Sequence, residues 1–90
     1  MKDITKSDIQ TLIDFVDERG NTMTIANIAN VNENIDSICL YLKDSEEDFP
    51  NKDEVIEHLK GLNDVIRKTP YFNLVSVILN GLNGIMGLLK

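Results

Sequence analysis

The sequence predicts an all-α protein, a compact bundle of four helices whose last member is strongly apolar. Apolar residues recur at i, i+3, i+4 and i+7 in successive stretches, and strand-like alternation is nearly absent. Both prolines, Pro50 and Pro70, fall between those stretches or at their edges. Residues 70–89, PYFNLVSVILNGLNGIMGLL, contain no charged side chain. Such a segment has to be buried in its own domain, in a partner subunit or in lipid. A chain of 90 residues makes one domain, 1–90, with a modest core that self-association would support.

The first helix is expected over residues 8–19. Ser7 suits its N-cap, and Gln10 three residues on completes a capping-box pattern. Ile9, Leu12, Ile13 and Val16 form one apolar face, and Gly20 followed by Asn21 supplies a stop. The second helix is expected over 24–43. Ile28, Val31, Ile35, Ile38 and Leu42 repeat with 3–4–3–4 spacing, a bundle-forming seam that Ile25 and Cys39 widen. Its opposite face carries Asn27, Asn30, Glu33, Asn34 and Ser37. Asn is a weak helix former, so packing has to hold this helix, and a break at residues 30–34 would make five helices of four.

Residues 44–51, DSEEDFPN, read as an exposed acidic loop that Phe49 pins to the core. The third helix follows over 52–68. Asn51 is the expected cap, Asp53 and Glu54 occupy the first turn, and Arg67 and Lys68 the last, each sign where the helix dipole favours it. Val55, Leu59, Leu62 and Ile66 are its stripe, broadened by Ile56 and Val65. The fourth helix is expected to start at Pro70, capped by Thr69. Asn73, Ser76, Asn80, Asn83, Gly84 and Gly87 cluster on one narrow face. The remaining apolar arc runs over more than half the circumference, from Tyr71 and Leu74 to Leu89. Such a helix is central to the bundle or central to an oligomer.

The net charge of −6 is unevenly spread: residues 1–64 hold all fifteen acids, and residues 65–90 hold only Arg67, Lys68 and Lys90. An acidic body repels phosphate backbones and favours basic protein surfaces. The one cysteine, Cys39, excludes an internal disulfide scaffold and reads as a small buried hydrophobe. The opening MKDITKSDIQ has no apolar run of a secretory leader, so a cytoplasmic setting is expected.

Chemistry-bearing patterns are sparse. His58 lies one helical turn after Glu54, but no second His or Cys completes a transition-metal set. An EF-hand count from Asp44 puts Phe49 where Gly belongs and Val55 where Glu belongs. Residues 20–42 have a faint helix-turn-helix look, yet lack a turn glycine and place Asp36 and Asp44 beside the single base Lys43. No phosphate loop, paired catalytic carboxylates or Ser/His/Asp set is present, so no enzyme, cofactor or metal is expected.

The expectation is therefore a protein-binding module of inhibitor, immunity, antitoxin or adaptor type that also self-associates. Phe72, Leu79, Met86 and Leu89 are its expected outward apolar edge, and Glu46, Glu47 and Asp48 its anionic docking patch. A membrane-active or tail-anchored protein using residues 70–89 is the alternative, and a degenerate helix-turn-helix regulator the next.

Overall fold

The first helix begins well before its apolar stripe does. The computed structural model describes residues 2–89, and in it α1 spans Lys2–Arg19. Ser7 is therefore inside the helix and not its cap, and its carbonyl accepts from Thr11 Oγ1 at 2.9 Å. The buried line explains the early start. It runs Thr5, Ile9, Leu12, Val16, and its first member is a polar residue that extends the stripe a turn toward the N-terminus. Gly20 closes the helix at φ +48°, a left-handed conformation that glycine adopts without strain. A short 3-10 turn, Gly20–Thr22, follows.

α2 spans Ile25–Asp44 without a break. Thr24 caps it: its Oγ1 accepts from the Asn27 amide at 3.1 Å, while Asn27 Oδ1 accepts from the Thr24 amide at 3.0 Å. Asparagine here fills the reciprocal role that Glu or Gln takes in a capping box. The Asn-rich middle stays helical because Val31 and Ile35 on its inner side are fully buried. Two seam-broadening assignments are corrected. Ile25 is 79% exposed and Val65 47% exposed, since both stand at the margin of their stripes where no neighbouring helix reaches.

α3 spans Lys52–Lys68, as the charge pattern of its ends implies. Asn51 precedes it but does not cap it with its side chain. Instead its Nδ2 donates to the Leu88 carbonyl at 3.1 Å and satisfies an orphan acceptor at the end of the fourth helix. That helix, α4, spans Leu74–Leu88. It starts later than expected, because Pro70 is extended (ψ 143°) and Tyr71–Asn73 form a 3-10 turn. Thr69 does not cap it either, as its Oγ1 donates back to the Val65 carbonyl at 2.6 Å.

The four helices alternate in direction around one core, and no strand occurs among the described residues. α4 lies between α1 and α3, and α3 packs in turn on α2, while α1 and α2 are the most loosely packed of the sequence neighbours. Leu74, Ile78, Leu82, Ile85 and Leu89 are the buried line of α4, with Val75, Val77, Leu79, Met86 and Leu88 packed along its flanks. The polar face expected on this helix is intact: Asn73, Ser76, Asn80, Asn83, Gly84 and Gly87 are all exposed. The central line of the apolar arc is thus covered within a single chain, while its flanks are half-buried and Tyr71 at its start is exposed.

Candidate protein-interaction surface

With the central line of α4 covered, the large exposed apolar groups lie elsewhere, and the two most exposed, Phe72 and Ile25, stand at one end of the bundle. The α1–α2 turn and the α3–α4 turn meet there. Tyr71 OH donates to the Met23 carbonyl and ties the two turns together. Between them opens a hollow of about 300 Å³ lined by Met23, Ile28, Tyr71, Phe72, Leu74 and Val75, together with Gly20 and Asn21. Phe72 is 83% exposed and Tyr71 51% exposed on the rim, and Ile25 stands in the first turn of α2 beside Ile28. The Thr24–Asn27 capping box fixes the backbone beside Ile25, and the hydrogen bond from Tyr71 to Met23 holds the turn that carries Phe72.

Charge at this end is mixed, with a slight excess of acid once Asp36 beside Arg67 is included. The last turns of α1 and α3 and the residues just before them supply Asp17, Glu18 and Asp64 against Arg19, Arg67 and Lys68. Arg19 stacks on the Phe15 ring with its guanidinium carbon 3.8 Å from the centroid. Arg67 bridges Asp64 and Asp36, each at 3.7 Å. The opposite end is acidic. Asp44, Glu46, Glu47, Asp48, Asp53 and Glu54 cluster there around Lys43 and Lys52. Lys52 Nζ donates to the Ser45 carbonyl at 3.0 Å and to the Glu47 carbonyl at 2.5 Å, which folds the loop onto the start of α3. Phe49 packs against the core, so the loop is pinned as expected.

The chain matches no protein-family model, no curated protein and no solved structure. Its surface chemistry is therefore read from its own residues.

The expected anionic patch and the one fully exposed member of the expected apolar edge lie at opposite ends of the bundle. Phe72 is at the apolar end, whereas Glu46, Glu47 and Asp48 are exposed at the acidic end, on a molecule 37 Å long. Leu79 and Met86 are half-buried against the core. Leu89 is corrected outright: it is fully buried and continues the Ile78, Leu82, Ile85 line, so it belongs to the interior. Ile25, Met23 and Tyr71, which complete the apolar end, were not expected in it. A second concavity of about 470 Å³ runs between α1 and α2, where Phe15, Ile38 and Tyr41 alternate with Asp8, Asn30 and Asn34.

Neither single-copy reactive residue has a built site. His58 is exposed, with Nδ1 2.8 Å from the Glu54 carbonyl. Among the described residues no group of three or more His, Cys, Asp or Glu could hold a metal ion. Cys39 is buried between α2 and α3, its thiol 3.9 Å from the Ile56 carbonyl. Burial pushes that thiol above its ordinary pKa, outweighing the opposite pull of Lys43 and Lys60. Cys39 should accordingly react with Ellman's reagent at pH 8 at least ~100-fold more slowly in the native protein than in denaturant. Equal rates in the two states would show that the α2–α3 seam is open.

Proposed function

We propose that this chain is a non-enzymatic protein-binding module of the cytoplasm, docking through its apolar end. The observation that carries the reading is the exposure of Phe72 on the rim of an apolar hollow, with Ile25 exposed three residues before its lining residue Ile28, in a molecule that buries the central line of its most hydrophobic helix. Single exposed apolar side chains are ordinary, but several large ones around one concavity mark an interaction patch. Aromatic residues are enriched at such contacts because they offer large area for little conformational entropy. The acidic body steers the molecule toward basic surfaces and away from nucleic acid. α2 is one uninterrupted helix, which leaves no turn within residues 25–44 for a helix-turn-helix. Inhibitor, immunity, antitoxin and adaptor roles all suit a small binding module of this charge.

The test is to select peptides against the folded protein from a displayed library and to map the binders by amide chemical shifts. Binders should perturb residues 20–28 and 71–75, and Phe72→Ala should weaken them about tenfold or more, as truncation of an anchor does. Binders that map to other surfaces, or that ignore the substitution, would refute a docking role for this end.

One observation favours a second reading, insertion into membranes. Tyr71–Leu88 is long and apolar enough to cross a bilayer by length and composition. Insertion would have to expose Leu74, Ile78, Leu82 and Ile85 by unpacking α4, and to carry Asn80 and Asn83 into hydrocarbon, so it would be conditional. Flotation with anionic vesicles at neutral and mildly acidic pH checks it.

A further inference from the structure

We propose that the groove between α1 and α2 takes a basic amphipathic helix of another protein. This surface is separate from the apolar end and does not depend on it.

The packing leaves this side of the bundle open. α4 is seated between α1 and α3, and α3 packs closely on α2, whereas α1 and α2 meet only loosely. The two helices run antiparallel and leave a concavity of about 470 Å³ between them. Leu12 and Ile38, both buried, are its floor, while Phe15 is half-buried and Tyr41 44% exposed on its walls. On α2 the lining runs from Asn30 to Tyr41, about 16 Å of helix or three turns. A trough of that length between two helices accepts a third along it, with apolar side chains at i, i+3 or i+4 and i+7 turned to the floor.

Charge selects the guest. Asp8 is the one charged residue of the lining. Glu18 stands one turn beyond Phe15, Glu33 one turn before Ser37 and Asp44 one turn beyond Tyr41, so acids flank the groove on both helices. Among the described residues no ion pair engages any of these four. Lys6 and Lys43 lie two positions from Asp8 and Tyr41, a spacing of about 200° that puts them on the far sides of their helices. Arg19 is turned onto the Phe15 ring and donates to the Phe15 carbonyl at 3.3 Å. A second copy of this chain, of net charge −6, is repelled by such a groove.

Hydrogen-bonding capacity points the same way. Asn34 spends its amide protons on the carbonyl and Oδ1 of Asn30, at 2.8 and 3.2 Å. Thr11 spends its hydroxyl proton on the Ser7 carbonyl at 2.9 Å. These two side chains and the Asp8 carboxylate are left to accept, and Lys and Arg bring donors without acceptors.

The probe is a synthetic peptide of about 14 residues, with Leu repeated at i, i+3, i+4 and i+7 and Lys or Arg elsewhere. A second peptide has the same composition in scrambled order, and a third has Glu in place of every Lys and Arg. Binding is read by fluorescence anisotropy and by 15N–1H spectra. A three-turn helix makes one of the smaller, transient interfaces, so the first peptide should half-saturate at roughly 10–100 µM. The amides that shift should be those of residues 8–15 and 30–41, with 20–28 and 71–75 unmoved. Raising salt from about 50 to 500 mM should weaken binding about tenfold. The scrambled and acidic peptides should bind at least ~10-fold more weakly. Asp8→Lys and, independently, Tyr41→Ser should each weaken the first peptide about tenfold. Both side chains are exposed, so both variants keep the fold, which their melting temperatures verify. Glu46→Lys in the acidic loop should change the affinity about twofold or less. No binding at millimolar peptide overturns the proposal. So does a scrambled peptide that binds equally well, which would mean charge attraction without a groove. Shifts centred on the acidic loop or on the apolar end, or a loss from Glu46→Lys as large as that from Asp8→Lys, overturn it too.

Discussion

Leu82→Asp should abolish cooperative folding. Leu82 is fully buried in the middle of α4, the helix that packs against both α1 and α3. Truncating such a leucine costs about 2–5 kcal/mol from lost burial and the cavity left behind. An unpaired carboxylate in the same place adds several more, because among the described residues no cation is buried in the core to meet it. The sum matches or exceeds the ~5–10 kcal/mol that holds a domain of this size together. Far-UV circular dichroism with a urea titration reads the result. The control is Asn83→Asp, one residue along on the exposed face of the same helix, which should shift stability by about 0.5 kcal/mol or less. If Leu82→Asp melts as cooperatively as its neighbour, α4 is not part of the core and the membrane reading moves forward.

That experiment probes the element whose role was most visible in the sequence. The Asn and Gly face of α4 could be read at 100° per residue because polar groups occupy one sector and nothing else interrupts them. Its solvent exposure followed directly, and so did the burial of Leu74, Ile78, Leu82 and Ile85. The flanks could not be read. The apolar arc is so wide that periodicity alone does not say where α1 and α3 stop covering it, which is how Leu89 was placed outside and proved to be inside. Helix ends were legible where a local signal sets them. Gly20 and the charge order of α3 acted as expected, whereas Thr24, read as the first residue of α2, proved to be its cap, and the start of α1 depends on a threonine filling a core position, which no propensity announces.

The apolar end was only half legible for a different reason. Phe72 stood out as an aromatic residue at the edge of an uncharged run. Ile25 looked like a broadening of the α2 seam, since it lies ~120° around the helix from Val31, at the edge of the stripe. Whether such a residue is covered depends on a neighbour, and at the first turn of α2 the neighbouring chain is the Tyr71–Asn73 turn, 46 or more residues away. The hollow exists because two turns distant in sequence are tied by Tyr71 and Met23. Local periodicity carries no information about such a tie.

A polar contact between α2 and α3 was equally hidden and leads to the second large effect. Asn63 is 3% exposed, and its Nδ2 donates to Asp36 Oδ1 at 2.6 Å and to the Asn32 carbonyl at 3.3 Å. Asp36 also faces Arg67, and its own side chain is largely in solvent. Asn63→Asp keeps the shape and replaces the donor with an acid. At neutral pH the new carboxylate would be buried, would lose both hydrogen bonds and would sit beside a like charge. Burial and that charge both raise its folded pKa above the unfolded value of about 3.9. The folded state then binds more protons than the unfolded one between those two values, so stability falls as pH rises through that window. We expect a loss of about 3 kcal/mol at pH 7 that shrinks toward 1 kcal/mol near pH 4, measured against the wild-type profile by urea denaturation. Asp36 can turn partly toward Arg67 and water, which keeps the repulsive part of the penalty the smaller one. Asn63→Leu separates the charge effect from the loss of the hydrogen bonds: it should cost about 1–2 kcal/mol with no added pH dependence. A pH-independent loss for Asn63→Asp would mean that position 63 is open to water and that the α2–α3 seam is not sealed there.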